Sequence, residues 1–258
     1  MIRKSFMVNG EFQNLALPIH ASDEGLYEWT IPTRTYIDNF KLIVPTQSAF
    51  EIPKTQWLEL CYGMFNGKSI LDTNEEVYEL LFCAALDSFG HLYYRIRTIA
   101  IDKTKLITAQ TTSPTPSVVD VKIYTSPIAI TTPFGLKWIE DAGEINRIDD
   151  EVDNWHSIAP TIFADLFPPL EEQKKKELYV GNIIGKQRIL DLFRKYPTKD
   201  KMTIASALFK GTPTDTPKIF IAFNINAECG TADEFGTSPL YCPPSSTDVC
   251  KKLNNHLL

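Results

Sequence analysis

Three of the five cysteines lie near the end of the chain, where their spacing raises the question of a zinc site. Cys229, Cys242 and Cys250 are separated by twelve and seven residues, and His256 follows. Structural zinc is bound tetrahedrally by four thiolates or imidazoles, which usually come in close pairs such as C-x-x-C. No such pair occurs here, so the spacing favours packed or loop thiols, with a disulfide as the alternative outside a cell. No metal or other cofactor is expected.

The segment LYVGNIIGKQ has some features of a phosphate-binding loop. A working loop needs four residues between its glycines and a Ser or Thr after the lysine, as a magnesium ligand. Only three residues separate Gly181 from Gly185, and Gln187 follows Lys186. The segment therefore predicts a short turn that opens a helix, with Lys186 in solvent.

Acidic residues occupy the first, third and fifth places of a calcium-type loop at Asp149, Glu151 and Asp153. Its sixth place holds Asn154 instead of glycine, and its twelfth holds Pro160 instead of a bidentate glutamate. The pattern favours a solvated acidic loop, with a looser surface calcium site as the alternative.

Hydrolytic chemistry would have to be assembled by folding, because none of the four histidines lies in a recognisable nucleophile motif. A carboxylate cluster beside a histidine can nevertheless form from distant positions. This alternative hypothesis is a hydrolase, and its candidate residues are Glu140, Asp141, Asp149, Asp153 and His156.

The composition is that of an ordinary globular protein, with 43% hydrophobic and 22% charged residues. The net charge of −6 argues against a protein that mainly grips nucleic acid, although residues 185–196 and 201–210 could be read as helix-turn-helix. The second helix would offer poor side chains for base edges, so an αα-hairpin is predicted. There is no signal-peptide core and no apolar run long enough for a membrane span, so synthesis in the cytoplasm is expected.

The first 140 residues mostly predict strands. Asn9-Gly10 indicates a hairpin, and the aromatic and β-branched segment at 26–46 predicts further strands. Residues 72–86 fit a helix or a strand, with a hairpin of two buried strands slightly favoured. Three short strands are expected between residues 118 and 140.

The second part begins with the acid-rich residues 140–155, a predicted loop. Helices are then expected from Ser157, from Pro169, and at residues 185–196 and 201–210. A strand at residues 218–226 and a terminal helix follow. The predicted class is α+β: a β-rich, sandwich-like N-terminal part of antiparallel sheets, a helical segment near 157–210, a returning strand and a C-terminal helix. The expected domains are 1–140 and 141–258, unless the two pack as one.

No family resemblance emerges from these motifs. The sequence predicts a non-enzymatic structural or assembly protein, because every pattern that could activate water or a nucleophile lacks a required part. Its expected partners are protein subunits, as in a homo- or hetero-oligomer or a phage or virus particle or tail. On that hypothesis, a virion is the alternative final location.

Overall fold

The computed structural model describes residues 2–8, 11–17, 33–46, 49–103, 118–164, 182–209, 218–224, 234–236 and 238–239. The helices are α1 (Thr33–Ile43), α2 (Lys54–Tyr62), α3 (Ala142–Ile162) and α4 (Lys186–Lys195). The strands up to residue 102 are β1 (Ile2–Val8), β2 (Glu11–Leu17), β3 (Phe50–Pro53), β4 (Met64–Phe65), β5 (Lys68–Ser69), β6 (Glu75–Leu86) and β7 (Leu92–Asp102). The later strands are β8 (Val118–Ile123), β9 (Ile128–Thr132), β10 (Gly135–Ile139), β11 (Asn182–Gly185), β12 (Lys201–Phe209), β13 (Lys218–Asn224), β14 (Glu234–Gly236) and β15 (Ser238–Pro239).

The larger sheet is built around the antiparallel pair β6 and β7, in which Leu86 lies opposite Leu92. Its strand order is β15-β11-β6-β7-β8-β1-β2, and β9 pairs with both β7 and β10. The favoured hairpin prediction for residues 72–101 is confirmed, as are the three strands between residues 118 and 140. Both faces of β6 and β7 are covered, which explains why their apolar residues do not alternate cleanly with polar ones.

The smaller sheet has the order β14-β13-β12-β3 and packs against one face of the larger sheet. Phe82 on β6 meets Phe223 on β13 edge-to-face, with 6.1 Å between the ring centroids. Tyr94 on β7 packs edge-to-face on Phe50 of β3 at 5.9 Å, and its hydroxyl is hydrogen-bonded to Ser206 of β12. The strand-rich α+β class with sandwich-like antiparallel sheets is therefore confirmed.

The strand prediction across residues 33–43 is wrong, because this segment forms helix α1. Phe40 and Val44 are buried in a cluster with Trp155 and Leu208. Asn39 Nδ2 donates a hydrogen bond to the carbonyl oxygen of Leu208 at 3.4 Å. The helix thus lies beside the part of β12 that β3 does not reach, where a backbone edge would otherwise remain unpaired.

The helix predicted at residues 201–210 is also wrong, since β12 occupies residues 201–209. Met202 and Ile204 point into the core between the sheets, two residues apart as a strand requires. Neither the αα-hairpin nor the helix-turn-helix interpretation applies, whereas the first of its helices is confirmed as α4.

The acid-rich residues 140–155 are not a loop. They form most of α3, whose N-cap Asp141 accepts a hydrogen bond from the backbone N–H of Glu144 at 2.8 Å. Ser157 lies inside this helix, where its hydroxyl donates to the Asp153 carbonyl at 2.9 Å, so it does not begin a helix as predicted. Apolar residues on one side of α3 are buried, and the acids occupy its remaining surface.

Strands from the two sides of residue 140 share both sheets: β11 pairs with β6, and β12 pairs with β3. The division into 1–140 and 141–258 stays a prediction. The N-terminal hairpin is confirmed by the pairing of Val8 with Glu11, and the returning strand by β13. The predicted C-terminal helix and the helix from Pro169 lie outside the described residues.

Candidate functional site

The turn between β6 and β7 is held by the carboxylate of Asp87. Its Oδ1 accepts hydrogen bonds from the backbone N–H groups of Phe89 at 2.9 Å and His91 at 2.8 Å, and Oδ2 lies 3.2 Å from His91 Nδ1. Gly90 has a φ of +81°, which glycine adopts without steric cost. Desolvation opposes ionisation of Asp87, but the hydrogen bonds from His91 and Phe89 outweigh it and lower the Asp87 pKa.

The turn between β9 and β10 is built in the same way. Thr132 Oγ1 accepts a hydrogen bond from the N–H of Phe134 at 3.2 Å and donates to the carbonyl of Gly135 at 3.0 Å. The two turn sequences, Asp87-Ser-Phe-Gly and Thr132-Pro-Phe-Gly, share a capping side chain, a phenylalanine two residues later and a glycine of positive φ. Gln56 Oε1 accepts from the N–H of Leu136 at 2.7 Å, so this hairpin is fixed to α2.

Both turns present their phenylalanine to solvent at the same end of the sheet. Phe89 is 83% exposed and Phe134 is 93% exposed. The two turns lie side by side because β9 pairs antiparallel with β7, with Arg95 opposite Ile130, which brings the end of β9 beside the start of β7. We call Phe89, His91, Pro133 and Phe134, together with the cleft between the two turns, the hairpin-tip surface.

The cleft of the hairpin-tip surface has a volume of about 490 Å³, within the usual range for ligand pockets. The buried Phe50, Leu92 and Thr131 form the inner part of its lining, and Arg147 and Glu151 of α3 form one wall. The full lining is Phe50, Asp87, His91, Leu92, Tyr93, Ile130, Thr131, Thr132, Pro133, Arg147 and Glu151.

A polar network on the α3 side shapes this wall. Glu151 accepts a hydrogen bond from the Tyr93 hydroxyl and pairs with Arg147 one helical turn away. Burial raises the pKa of Tyr93, and the hydrogen bond and negative charge of Glu151 raise it further, against the opposing charge of Arg147. Tyr93 is therefore a neutral hydrogen-bond donor to Glu151 at physiological pH.

Two arginines on β7 position α3 over the outer face of the larger sheet. Arg95 and Arg97 are buried, with side chains 1% and 10% exposed, and both bind the carboxylate of Asp149. Arg97 Nη2 donates to Oδ2 at 2.8 Å and to Oδ1 at 3.1 Å. The same wall of the cleft is thereby fixed, since Asp149 and Glu151 lie on one rigid helix.

The pKa values of Arg97 and Arg95 show how far Asp149 offsets the burial of the two guanidiniums. Desolvation and the neighbouring Arg95 lower the pKa of Arg97, and Asp149 only partly compensates. Desolvation favours the neutral form of Arg95 as well, but Cys83 and Asp149 outweigh it, and the pKa of Arg95 is raised. Asp153, four residues after Asp149 on α3, has a raised pKa. Desolvation and the charges of Asp149 and Asp150 raise it, and the charge of Arg95 partly opposes them.

The candidate hydrolase residues do not come together in one cluster. Asp149, Asp153 and His156 share one side of α3, since they are four and three residues apart, but this side faces the two arginines. Asp141 serves as the helix N-cap. Glu140 is exposed and lines a separate cavity of about 390 Å³ beside the β4–β5 turn.

The cleft is lined instead by Asp87 and His91, which were not among the predicted hydrolase residues. His91 is hydrogen-bonded to Asp87, and within the described part of the chain no hydroxyl or thiol is hydrogen-bonded to its ring. A histidine–carboxylate pair can serve as a general base, yet nucleophilic catalysis requires a positioned nucleophile as its third member. The structure shows a cleft lined by polar and apolar side chains, beside the two turns that carry the exposed Phe89 and Phe134.

The other chemical patterns have structural roles or lie outside the described residues. Lys186 is 19% exposed and binds Glu76 at 3.1 Å, so the prediction that it lies in solvent is wrong. The calcium-type pattern fails because α3 turns Glu151 towards the cleft and Asp149 towards the arginines. No three potential metal ligands cluster among the residues that the structure describes. The described residues do not include Cys229, Cys242, Cys250 and His256, for which packed or loop thiols were predicted in preference to a zinc site.

The sequence contains a signal for the hairpin-tip surface, namely the paired tetrapeptides D-S-F-G and T-P-F-G. A large aromatic residue is unusual at a turn, where Gly, Pro, Asn, Asp and Ser dominate. Two such turns with the same pattern would have indicated exposed rings.

Comparison with known proteins gives no match: no family model, curated protein or solved structure is detectably similar to this chain. The helices in the described residues are all too short or too polar to cross a membrane.

Proposed function

We propose that the protein is a non-enzymatic subunit of a larger protein assembly and that it docks through the hairpin-tip surface. The observation that carries the proposal is the pair of exposed phenylalanines, Phe89 and Phe134, on two turns of the same construction. Exposed aromatic rings beside a cleft are typical of protein contacts, in which aromatic anchors supply much of the affinity.

The energetics favour burial of these rings by a partner. Full burial of a phenylalanine side chain contributes about 1.5–3 kcal/mol. Each turn is already held by its capping hydrogen bonds, so little backbone entropy remains to be lost on docking. Rigid presentation of both rings therefore supports a contact role.

The kind of assembly is a finer proposal, and we suggest a phage or virus particle or tail. Its support comes from the sequence: a strand-rich chain with many Thr and Pro residues at strand ends and no intact catalytic motif. The sheets provide a rigid body from which the hairpin tips project.

The test is the mass of the native complex, measured by size-exclusion chromatography with light scattering on extracts of the source cells. We expect a species well above the 29.2 kDa of one chain. Phe89→Ser combined with Phe134→Ser should return it to the monomer, whereas Leu42→Ser, at a side chain 76% exposed on α1, should not. A wild-type monomer in the extract would refute the assembly proposal.

A hydrolase remains the second candidate, favoured by the Asp87–His91 pair at the cleft. The two candidates differ in their dependence on His91. A hydrolase would lose its activity on a panel of ester and amide substrates in His91→Ala, with the mass of the complex unchanged. The absence of any His91-dependent hydrolysis would eliminate this candidate.

A further inference from the structure

Helix α3, which forms a wall of the cleft, begins in an acid-rich stretch of the sequence. Residues 140–153 contain seven acidic residues and one arginine, a balance equal to the net charge of −6 for all 258 residues. The rest of the chain is therefore neutral overall. Residues 142–153 form the first turns of α3, and Glu151 is the acid of this stretch that lines the cleft.

The cleft has the two properties that a long basic side chain requires. Its inner lining includes the buried Phe50 and Leu92, which can pack against an aliphatic stem. Its polar lining includes the carboxylates of Asp87 and Glu151, which can accept hydrogen bonds from a cationic head group. Lysine and arginine combine such a stem with such a head.

The cations and potential cations that face the same space are Arg147 and His91. Arg147 is 55% exposed and binds Glu151, and His91 is 67% exposed and binds Asp87. The lining carries two carboxylates, of Asp87 and Glu151, against the one guanidinium of Arg147. Its local charge therefore has the sign that attracts a base.

We propose, building on the docking function above, that the cleft accepts a lysine or arginine side chain from a segment of a partner protein. Phe89 and Phe134 then cover the apolar neighbours of that residue at the rim. The carboxylates of Asp87 and Glu151 favour encounter with a basic segment, because charge complementarity accelerates association.

The test uses the full chain and fluorescent nonapeptide pools, each with a fixed central Lys, Arg, Leu or Glu and randomised flanks. We expect the Lys and Arg pools to bind about tenfold more tightly than the Glu pool, with weaker binding at higher salt. Preference for the Glu pool, or failure of every pool to bind, would overturn the inference.

Arg147→Gln is the most discriminating variant, because its expected effect on affinity has opposite signs for basic and for anionic ligands. Removing this guanidinium should strengthen binding of the Lys and Arg pools about two- to fivefold, and an anion-binding cleft would instead lose affinity. Asp150→Asn is the matched control: Asp150 is exposed on the same helix and does not line the cleft, so it should change binding less than twofold.

The experiments distinguish a failure of the docking proposal from a failure of the basic-ligand proposal. Phe89→Ser with Phe134→Ser should weaken the best pool about tenfold or more. If this double variant alters the native complex but all pools bind alike, docking stands and the basic ligand is refuted. If Lys and Arg pools bind but the native protein is monomeric, the assembly function is refuted and the cleft is a peptide site of another kind.

Discussion

Asp149 Oδ2 accepts a hydrogen bond from Arg97 Nη2 at 2.8 Å, and this contact ties helix α3 to the outer face of the central hairpin. Arg95 binds the same carboxylate. One side chain thus neutralises part of the charge of two buried guanidiniums and fixes the helix that forms a wall of the cleft.

Asp149→Ala should destabilise the protein by about 3 kcal/mol, because it leaves two buried guanidiniums without their shared carboxylate. This is the low end of the range for a broken buried ion pair, since the Asp149 side chain is 31% exposed. The measurement is the free energy of unfolding in urea. Asp150→Ala, at the exposed neighbour, should stay within about 0.5 kcal/mol of wild type. Equal losses in the two variants would show that the arginines do not depend on Asp149.

Asp87→Asn should reduce stability at neutral pH and lose its effect in acid. The folded-state pKa of Asp87 is lowered, so its charge contributes stability above the ordinary carboxyl pKa of about 3.9. That contribution disappears as the pH falls through the lower folded-state value. Urea midpoints of wild type and variant should therefore converge below about pH 4, with Asp150→Asn as the control. A difference that stays constant with pH would mean that the charge of Asp87 does not stabilise the turn.

Gly135→Ala should destabilise the protein more than Gly67→Ala. Both glycines have positive φ, at +113° and +72°, which costs about 1–2 kcal/mol for an L-residue. A Cβ at Gly67 meets nothing within 4 Å, whereas one at Gly135 would overlap Oε1 of Gln56 and disturb its bond to Leu136. Thermal unfolding of the two variants measures this difference. Equal melting temperatures would indicate that Gln56 moves aside freely.

Local sequence patterns predicted some elements well and misread others. The turn between β6 and β7 is encoded locally, because Asp87 caps it and Gly90 supplies the positive φ that it needs. In residues 140–155 the seven acids concealed a helical stripe, Ile145, Ile148 and Val152, whose spacing matches one buried side of α3.

The helix prediction for the segment that forms β12 failed for the opposite reason. Ala205 and Ala207 favour helices by intrinsic propensity, but tertiary packing decided the outcome. Met202 and Ile204 fill the space between the sheets at two-residue spacing, which only a strand provides.

The hairpin-tip surface could not be assembled from the sequence, although each turn could be recognised. Phe89 and Phe134 become neighbours only through the pairing of β7 with β9. That register depends on long-range packing, as in the contact of Ile128 and Ile139 with Ile148 of α3, which no short pattern encodes.

The most direct test of docking is hydroxyl-radical footprinting of the native complex, with side-chain oxidation corrected for intrinsic reactivity. The reference is Tyr62, which is 56% exposed on α2, against 83% and 93% for Phe89 and Phe134. We predict that both phenylalanines are oxidised more slowly than Tyr62, because a partner covers them. Oxidation in the order of these exposed fractions would contradict the account.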